Sequence, residues 1–359
     1  MAKRKHCGFN EAPGRDWKAP RQYSEATRPP HSTRDGPKFG INISSNRDGP
    51  SSKDGSCLTQ YLPPRSFKDA CSEVMEIARV VLAHGLGASW SVVAQGSFVQ
   101  NLQLDGSDLD LVVLDGTDRW RNLNRRKNAE ELELAVRQLT RSSALQVRVM
   151  RKIYSARVPL ARLRVNLNGV EVFVDLCFGD PKRGLCDEFV RRVIAKLGPE
   201  CERFVLLMKL WATKRALCET HAGGISCFAV VLLALFHFQH SSSRTNLLGL
   251  TTSFLRFFQS LEGTKNTVIL ETMQLGSSPS DFLHVKVPCR EGENAARCLT
   301  HGVWVRKLLP ELRRGISLCE RLNAGDAITV DRLAQLLLGD HEEEARPTDR
   351  RHYKWRHRH

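Results

Sequence analysis

Hydrophobic residues change their spacing along the chain, and the changes divide it into stretches of different character. From Ser66 to Leu86, Ala70, Val74, Ile77, Val80 and Val81 recur at helical spacing and form one apolar stripe. Leu109 to Leu114 is a short, β-prone apolar run, which predicts a strand. Asn124 to Arg141 alternates charges around Leu132, Val136 and Leu139, the pattern of an amphipathic surface helix. Leu145 to Val149 alternates apolar and polar positions, and Val158 to Val165 is again β-prone. Asn168-Gly169 then stands between Leu167 and Val170. Such a pair between two strand-like runs predicts a hairpin, because both central residues of the tightest turn need positive φ. After Phe178 the spacing turns helical, at Glu200 to Leu217, Ile225 to Gln239, Leu250 to Leu261, Ala295 to Gly315 and Val330 to Leu338. A small mixed layer followed by a mostly helical one predicts an α+β fold.

The ends carry no such pattern. Residues 1–58 are rich in Pro, Gly, Ser, Arg and Asp, and cannot bury enough surface to repay their ordering entropy. They are expected to be a disordered basic segment. The C-terminal stretch 340–359 is expected to be a basic tail, in which Tyr353 and Trp355 offer rings that stack on bases. Of 359 residues, 54 are Lys or Arg and 39 Asp or Glu, giving a net charge of +15. The charge says nothing about the fold, but it favours a polyanionic partner. The longest apolar run, Ile225 to Phe238, falls short of the about 20 residues that a membrane-spanning helix needs, so no membrane association is expected. The 11 cysteines are scattered without a C-x-x-C pair, which predicts buried free thiols in a reducing compartment rather than a zinc site or disulfide frame. The N-terminus has no apolar signal core, and Glu11, Asp16 and Glu25 run against a mitochondrial presequence. Cytoplasm or nucleus is the expected location, with the mitochondrion left open.

Candidate chemistry is concentrated in one stretch. On a strand, residues two apart share a face, so Asp108 and Asp110 project together while Leu109 and Leu111 point into the core. Two carboxylates that close repel one another unless a cation lies between them, and Mg²⁺ or Mn²⁺ takes such oxygen ligands. In the strand after the hairpin, Val170, Val172 and Val174 fill one face and leave Asp175 on the other. Three carboxylates on one small sheet suit two-metal phosphoryl or nucleotidyl transfer. Gly96-Ser97, 12 residues before Asp108, suits a phosphate: glycine lets the backbone approach closely, and the turn presents N–H groups and a hydroxyl.

With these residues in order, the chain resembles the template-independent RNA nucleotidyltransferases, the poly(A) polymerases and terminal uridylyltransferases with a DNA-polymerase-β-like palm. The pattern is Gly96-Ser97, a short loop, Ser107-Asp108-Leu109-Asp110, and the third Asp at Asp175; Ala156 to Leu160 also looks like the family's segment. Val205 to Arg215 resembles the helix whose lysine touches the triphosphate, pointing to Lys209. Gly224 to Phe228 is similar to the family's Gly-x-Ser-Ser-Tyr and points to Ser226, with Cys227 and Phe228 as departures. Leu255 to Leu261, Val268-Ile269 and Pro288 to Arg297 look like the associated domain that reads the base.

The resemblance implies a palm over 59–180 and a helical central and associated domain over 181–339. It implies that Asp108, Asp110 and Asp175 are catalytic and bind metal, and that Gly96, Ser97, Lys209 and Ser226 contact the nucleotide. A second family lysine is Thr213 here, with Lys214 and Arg215 as substitutes for its charge. The usual loop glycine is Asn101, the family's ribose-contacting Asn is not evident between Gly184 and Asp187, and the base-stacking region reads Asn246-Leu247-Leu248. Uridine-adding members carry His before the Asn matching Asn294, whereas Glu293 here favours ATP over UTP.

The reading that results is RNA 3′-end nucleotidyl transfer, with AMP favoured. A terminal uridylyltransferase, a small-molecule or oligoadenylate-type nucleotidyltransferase of the same fold, and a silent RNA-binding subunit are the alternatives. No separate RNA-binding module is recognisable, so RNA contact is expected from a basic groove, the tails or a partner protein.

Overall fold

The computed structural model describes residues 58–115, 125–156, 158–179, 182–242, 244–261, 266–272, 274–277, 282–322 and 329–339. The expectations for 1–57, for 340–359 and for Arg157 lie outside the described residues. The helical spacing gives α1 (Arg65–Leu86), with Ala70, Val74, Ala78 and Leu82 buried, whereas Val80, expected in the stripe, is 57% exposed. A strand not foreseen from the spacing, β1 (Ser91–Gln95), precedes β2 (Leu109–Leu114). Then follow α2 (Arg125–Arg141), β3 (Gln146–Ile153), β4 (Leu160–Leu167) and β5 (Val170–Phe178). These strands form one sheet in the order β1-β2-β5-β4-β3.

One face of this sheet is dry. Leu109, Leu111 and Val113 of β2, Val172, Val174 and Leu176 of β5, and Ala161, Leu163 and Val165 of β4 pack with α1 and α2 into a single hydrophobic cluster. These residues share one face because side chains two apart on a strand point the same way. Every polar residue between these apolar ones is therefore forced onto the other face. Asp110, Asp175 and Arg162 all stand there, with Asp110 opposite Asp175 and Asp175 opposite Arg162.

The register is set by the β4–β5 hairpin. Leu167 pairs with Val170, leaving Asn168 (φ 52°) and Gly169 (φ 82°) as the two turn residues. A one-residue slip would turn Asp175 into the core.

The helical layer consists of α3 (Lys182–Leu197), α4 (Pro199–Lys214), α5 (Cys227–His240) and α6 (Leu247–Ser260). A small sheet of β6 (Asn266–Ile269), β7 (Gln274–Ser277) and β8 (His284–Val285) follows, then α7 (His301–Val303), α8 (Leu309–Arg321) and α9 (Val330–Leu338). Phe204, Leu207 and Trp211 of α4, Phe254 and Phe258 of α6, and Trp304 fill a second cluster. Leu102 and Leu104, from the loop between β1 and β2, belong to this second cluster rather than to that of the sheet. The loop that carries Gly96-Ser97 is thus pinned between the two layers.

The continuous helix expected over Ala295–Gly315 is broken. Residues 295–300 are turns and an irregular stretch, α7 is three residues, and Trp304–Leu308 is a π-helical turn before α8. Pro310 stands at the start of α8, where it has no N–H to give and its ring crowds the carbonyl four residues back. Widening to a π turn relieves that crowding. The described cysteines are free thiols, and Cys71, Cys177, Cys186, Cys201 and Cys319 are buried.

The hairpin makes a direct test of the register argument. A Cβ added at Gly169 would meet nothing within 4 Å, so the cost of Gly169→Ala is conformational alone. We expect a loss of about 1 kcal/mol in urea unfolding, from holding an L-residue at positive φ.

Candidate active site

Asp110 lies on β2 beside Asp175 on β5, and Asp108 stands immediately before β2. Above Asp110 is the turn that ends β1. Gly96 has φ 69°, and a Cβ on it would lie 2.5 Å from Asp110 Oδ2. Only glycine satisfies both conditions, so the close approach of backbone to carboxylate is built in.

Two contacts fix this turn. The Gly96 N–H donates to Asp187 Oδ2 at 2.7 Å, and Gln100 Nε2 donates to Asp187 Oδ1 at 2.5 Å. Asp187 is a buried residue of α3, so it ties the turn to the helical layer. Asn101 adopts φ 58°, a left-handed conformation that asparagine tolerates where the usual glycine is absent.

Spacing alone did not reveal Arg162. Its Nε and Nη2 donate to the two oxygens of Asp175 at 2.7 and 2.6 Å, and Nη2 also donates to Asp108 Oδ2 at 2.8 Å. The paired arrangement is the geometry that a guanidinium offers a carboxylate. The register pairing of Arg162 with Asp175 was visible only once β4 and β5 were aligned.

Asp110 is left without such a partner in the shared crevice. Burial first, then the charges of Asp175, Asp108 and Asp187, push its carboxyl up to about 7. Burial also raises Asp187, against the two hydrogen bonds that favour its charge. This crowding of hard oxygen donors is the chemistry that a divalent cation relieves, so the residues fit one. With Arg162 drawn across Asp175 and Asp108, no group of three or more Asp, Glu, His or Cys side chains among the described residues gathers closely enough to hold a metal as it stands.

The other nucleotide-site candidates are also engaged. Lys209 is buried on α4 and donates from Nζ to the Leu102 carbonyl at 2.6 Å. Burial lowers its pKa, against the pull of Cys227, Cys218 and Asp110. Ser226 caps α5: its hydroxyl accepts from Ala229 N–H at 3.0 Å and donates to the Ala295 carbonyl at 2.7 Å. Ser97 lies in the Gly96 turn, where its carbonyl accepts from Leu102 N–H at 2.9 Å.

Arg215 does not supply the substitute charge expected of it. It is buried, donates to the Leu337 and Gly339 carbonyls, and lies 3.5 Å from Glu311, which latches α9 onto α4. Lys214 stands over the Tyr61 ring. Asn246 caps α6, and Asn294 holds together the Leu283, Val285 and Ala296 backbone.

Residues 66–182 match the family model of the central palm domain of mitochondrial-like poly(A) RNA polymerase. A 149-residue stretch is 32% identical to the poly(A) RNA polymerase cid14 of Schizosaccharomyces pombe, covering 42% of this chain and 20% of that relative. The chain therefore spans about a fifth of the length of that curated relative. Mitochondrial poly(A) polymerase (mtPAP), solved with GTP, superimposes with a TM-score of 0.64 at 16% identity, over 79% of this chain and 71% of that one. A mutant of the Cid1 poly(U) polymerase bound to MgATP gives 0.60 at 16% identity, over 77% and 95%. The chain shares the fold of these structures, an α+β sheet layer with a helical layer.

The raised Asp110 predicts a pH dependence. Between the ordinary value near 3.8 and about 7, the unfolded chain has released a proton that folded Asp110 keeps. The unfolded state then binds fewer protons, so stability falls as pH rises through that window. Asp110→Asn cannot ionise. In chelator, its melting temperature should match the wild type near pH 4 and exceed it by several degrees at pH 8.

Proposed function

We propose that the protein transfers nucleotides from an NTP to an RNA 3′-hydroxyl, with AMP favoured, which makes it an RNA 3′-end nucleotidyltransferase of the poly(A) polymerase type. One observation carries the reading: Asp110 and Asp175 are register partners on parallel strands, with Asp108 just before β2, under a glycine turn that closely approaches Asp110. The family of the palm and the names of its relatives support the same reaction.

In this reading the palm (59–180) does the chemistry and the helical layer (181–339) closes the nucleotide side. Gly96 and Ser97 bring backbone and hydroxyl to the β- and γ-phosphates, and Asp187 keeps the turn in place through the Gly96 N–H. Lys209 adds positive charge from below once it leaves the Leu102 carbonyl, with Ser226 a lesser contributor. Asp175 helps take the proton from the RNA 3′-hydroxyl. A Mg²⁺ or Mn²⁺ pair on Asp108, Asp110 and Asp175 would polarise the α-phosphate and offset its developing charge.

The +15 charge supports RNA over an uncharged small acceptor. No described helix is long and apolar enough to cross a membrane. Cytoplasm, nucleus and mitochondrion all fit the reading, and a protein partner would supply the choice of RNA. A second reading, a silent RNA-binding subunit, is favoured by one fact: Lys209 and Ser226 are engaged within the protein.

Extension of a labelled oligo(A) RNA with Mg²⁺ and each NTP supplied separately decides between them. We expect a ladder with ATP, and at least a hundredfold loss in Asp108→Ala/Asp110→Ala, on the order of what a key electrostatic group contributes. A ladder with UTP instead overturns the base preference and keeps the mechanism. No ladder with any NTP, despite tight RNA binding, points to a silent subunit or to an enzyme that needs its partner.

A further inference from the structure

The open face of the sheet changes character from one edge to the other. At β2 and β5 it carries Asp110 and Asp175. One strand over, Asp175 faces Arg162, and Arg162 faces Arg151 on β3. The neighbouring row repeats the pattern: half-buried Phe173 on β5 faces Arg164 on β4, which faces Arg148 on β3. A bulge between Val149 and Arg151 keeps both β3 arginines on the open side despite their odd separation. Acidic at β2–β5, this face is an arginine lattice at β4–β3.

The four arginines differ in their partners. Arg162 is matched by Asp175 and Asp108, and Arg164 by Glu171. Arg148 and Arg151 are exposed, and no ion pair links either to the described residues. On the opposite face of the same strand, Lys152 pairs with Glu133 of α2 at 2.7 Å, and Tyr154 donates to Glu133. Charged edge strands also serve to discourage pairing with other chains. That need is met by charge on either face, and does not explain why only the open face is left uncompensated and in line with the carboxylates. α1 and α2 pack on the dry face of the sheet, so β3 and β4 present the open face to solvent.

We propose that Arg148 and Arg151 are a binding site for the phosphates of the RNA acceptor strand just upstream of its 3′ end, with Phe173, on the same strand as Asp175, positioned to stack on a base close to that end. Neighbouring strands lie about 4.8 Å apart, so the row from Asp110 to Arg151 spans about 14 Å. Arginine recognises phosphate oxygens in pairs, and an aromatic ring accepts any base face, so the track reads the backbone without reading sequence. Positive charge at β3 and negative charge at β5 also give the strand a direction: phosphates are attracted at one end, and the 3′-hydroxyl, the one uncharged end, arrives at the carboxylates. This rests on the nucleotidyl-transfer reading only for the identity of the acceptor.

The test uses the full chain and a fluorescein-labelled oligo(A) RNA, with affinity followed by anisotropy across a salt series. Arg148→Ala/Arg151→Ala should weaken binding about tenfold at moderate salt. It should also lower the slope of log affinity against log salt by about 1.4, the loss of two single-strand phosphate contacts. Arg79→Ala/Arg126→Ala removes the same net charge from exposed positions on α1 and α2, and should change the slope little. Unchanged melting temperatures show that both proteins fold. Equal losses in the two variants, or no loss at Arg148 and Arg151, overturn the track. Wild-type extension of the RNA is scored in parallel. An inactive wild type whose RNA affinity depends on Arg148 and Arg151 keeps the track and drops nucleotidyl transfer; an active one whose affinity does not depend on them does the reverse.

Discussion

Like charges crowded on one sheet face are the constraint around which this site is organised. Asp110 and Asp175 are register partners on parallel strands, with Asp108 just outside the register. Left alone, such a set would neutralise by taking protons, and Asp110 is already pushed up to about 7. Arg162 relieves the rest by spanning Asp175 and Asp108. The pair lies between two regimes, since the Arg162 side chain is 43% exposed and that of Asp175 only 13%. Exposed pairs contribute up to about 1 kcal/mol, whereas breaking a buried one costs about 3–5. Asp175 and Asp108 are therefore held in place by an arginine that faces them both.

The second constraint is mechanical. The turn above Asp110 is held from the helical layer, through Asp187 to Gly96 and through Lys209 to the Leu102 carbonyl. Leu102 and Leu104 bury with the helices, not with the sheet. A shift of α3 or α4 against the sheet would move the turn relative to the carboxylates. The glycine turn and the carboxylates beneath it are thus held by different layers, and their separation is a degree of freedom of the site.

Sequence patterning conveyed the local elements well where one face was buried. The β2, β4 and β5 alternation and the Asn168-Gly169 turn put Asp110 and Asp175 on the same face before any coordinates, because a period of two leaves no choice. What spacing cannot convey is which strands are neighbours. β1 and the order β1-β2-β5-β4-β3 were not foreseen, so the register that brings Arg162 to Asp175, and Arg148 and Arg151 into line behind it, stayed hidden. Nothing in the spacing marks Asp187, whose role as a carboxylate acceptor for the Gly96 turn comes from the packing of α3. Arg215 is the converse case. Its sequence neighbourhood suggested a free cation, while three-dimensional packing spends it on the carbonyls that end α9.

The central claim is that the three carboxylates form a divalent-cation site rather than a structural ion-pair cluster closed by Arg162. Mn²⁺ binding followed by electron paramagnetic resonance, with a non-hydrolysable ATP analogue and no RNA, addresses it without relying on turnover. The account predicts saturable Mn²⁺ binding by the wild-type protein beyond that of the nucleotide alone, weakened at least about tenfold in Asp110→Asn, the scale of losing one charged ligand. Equal Mn²⁺ binding by the two proteins, or none by either, would contradict it.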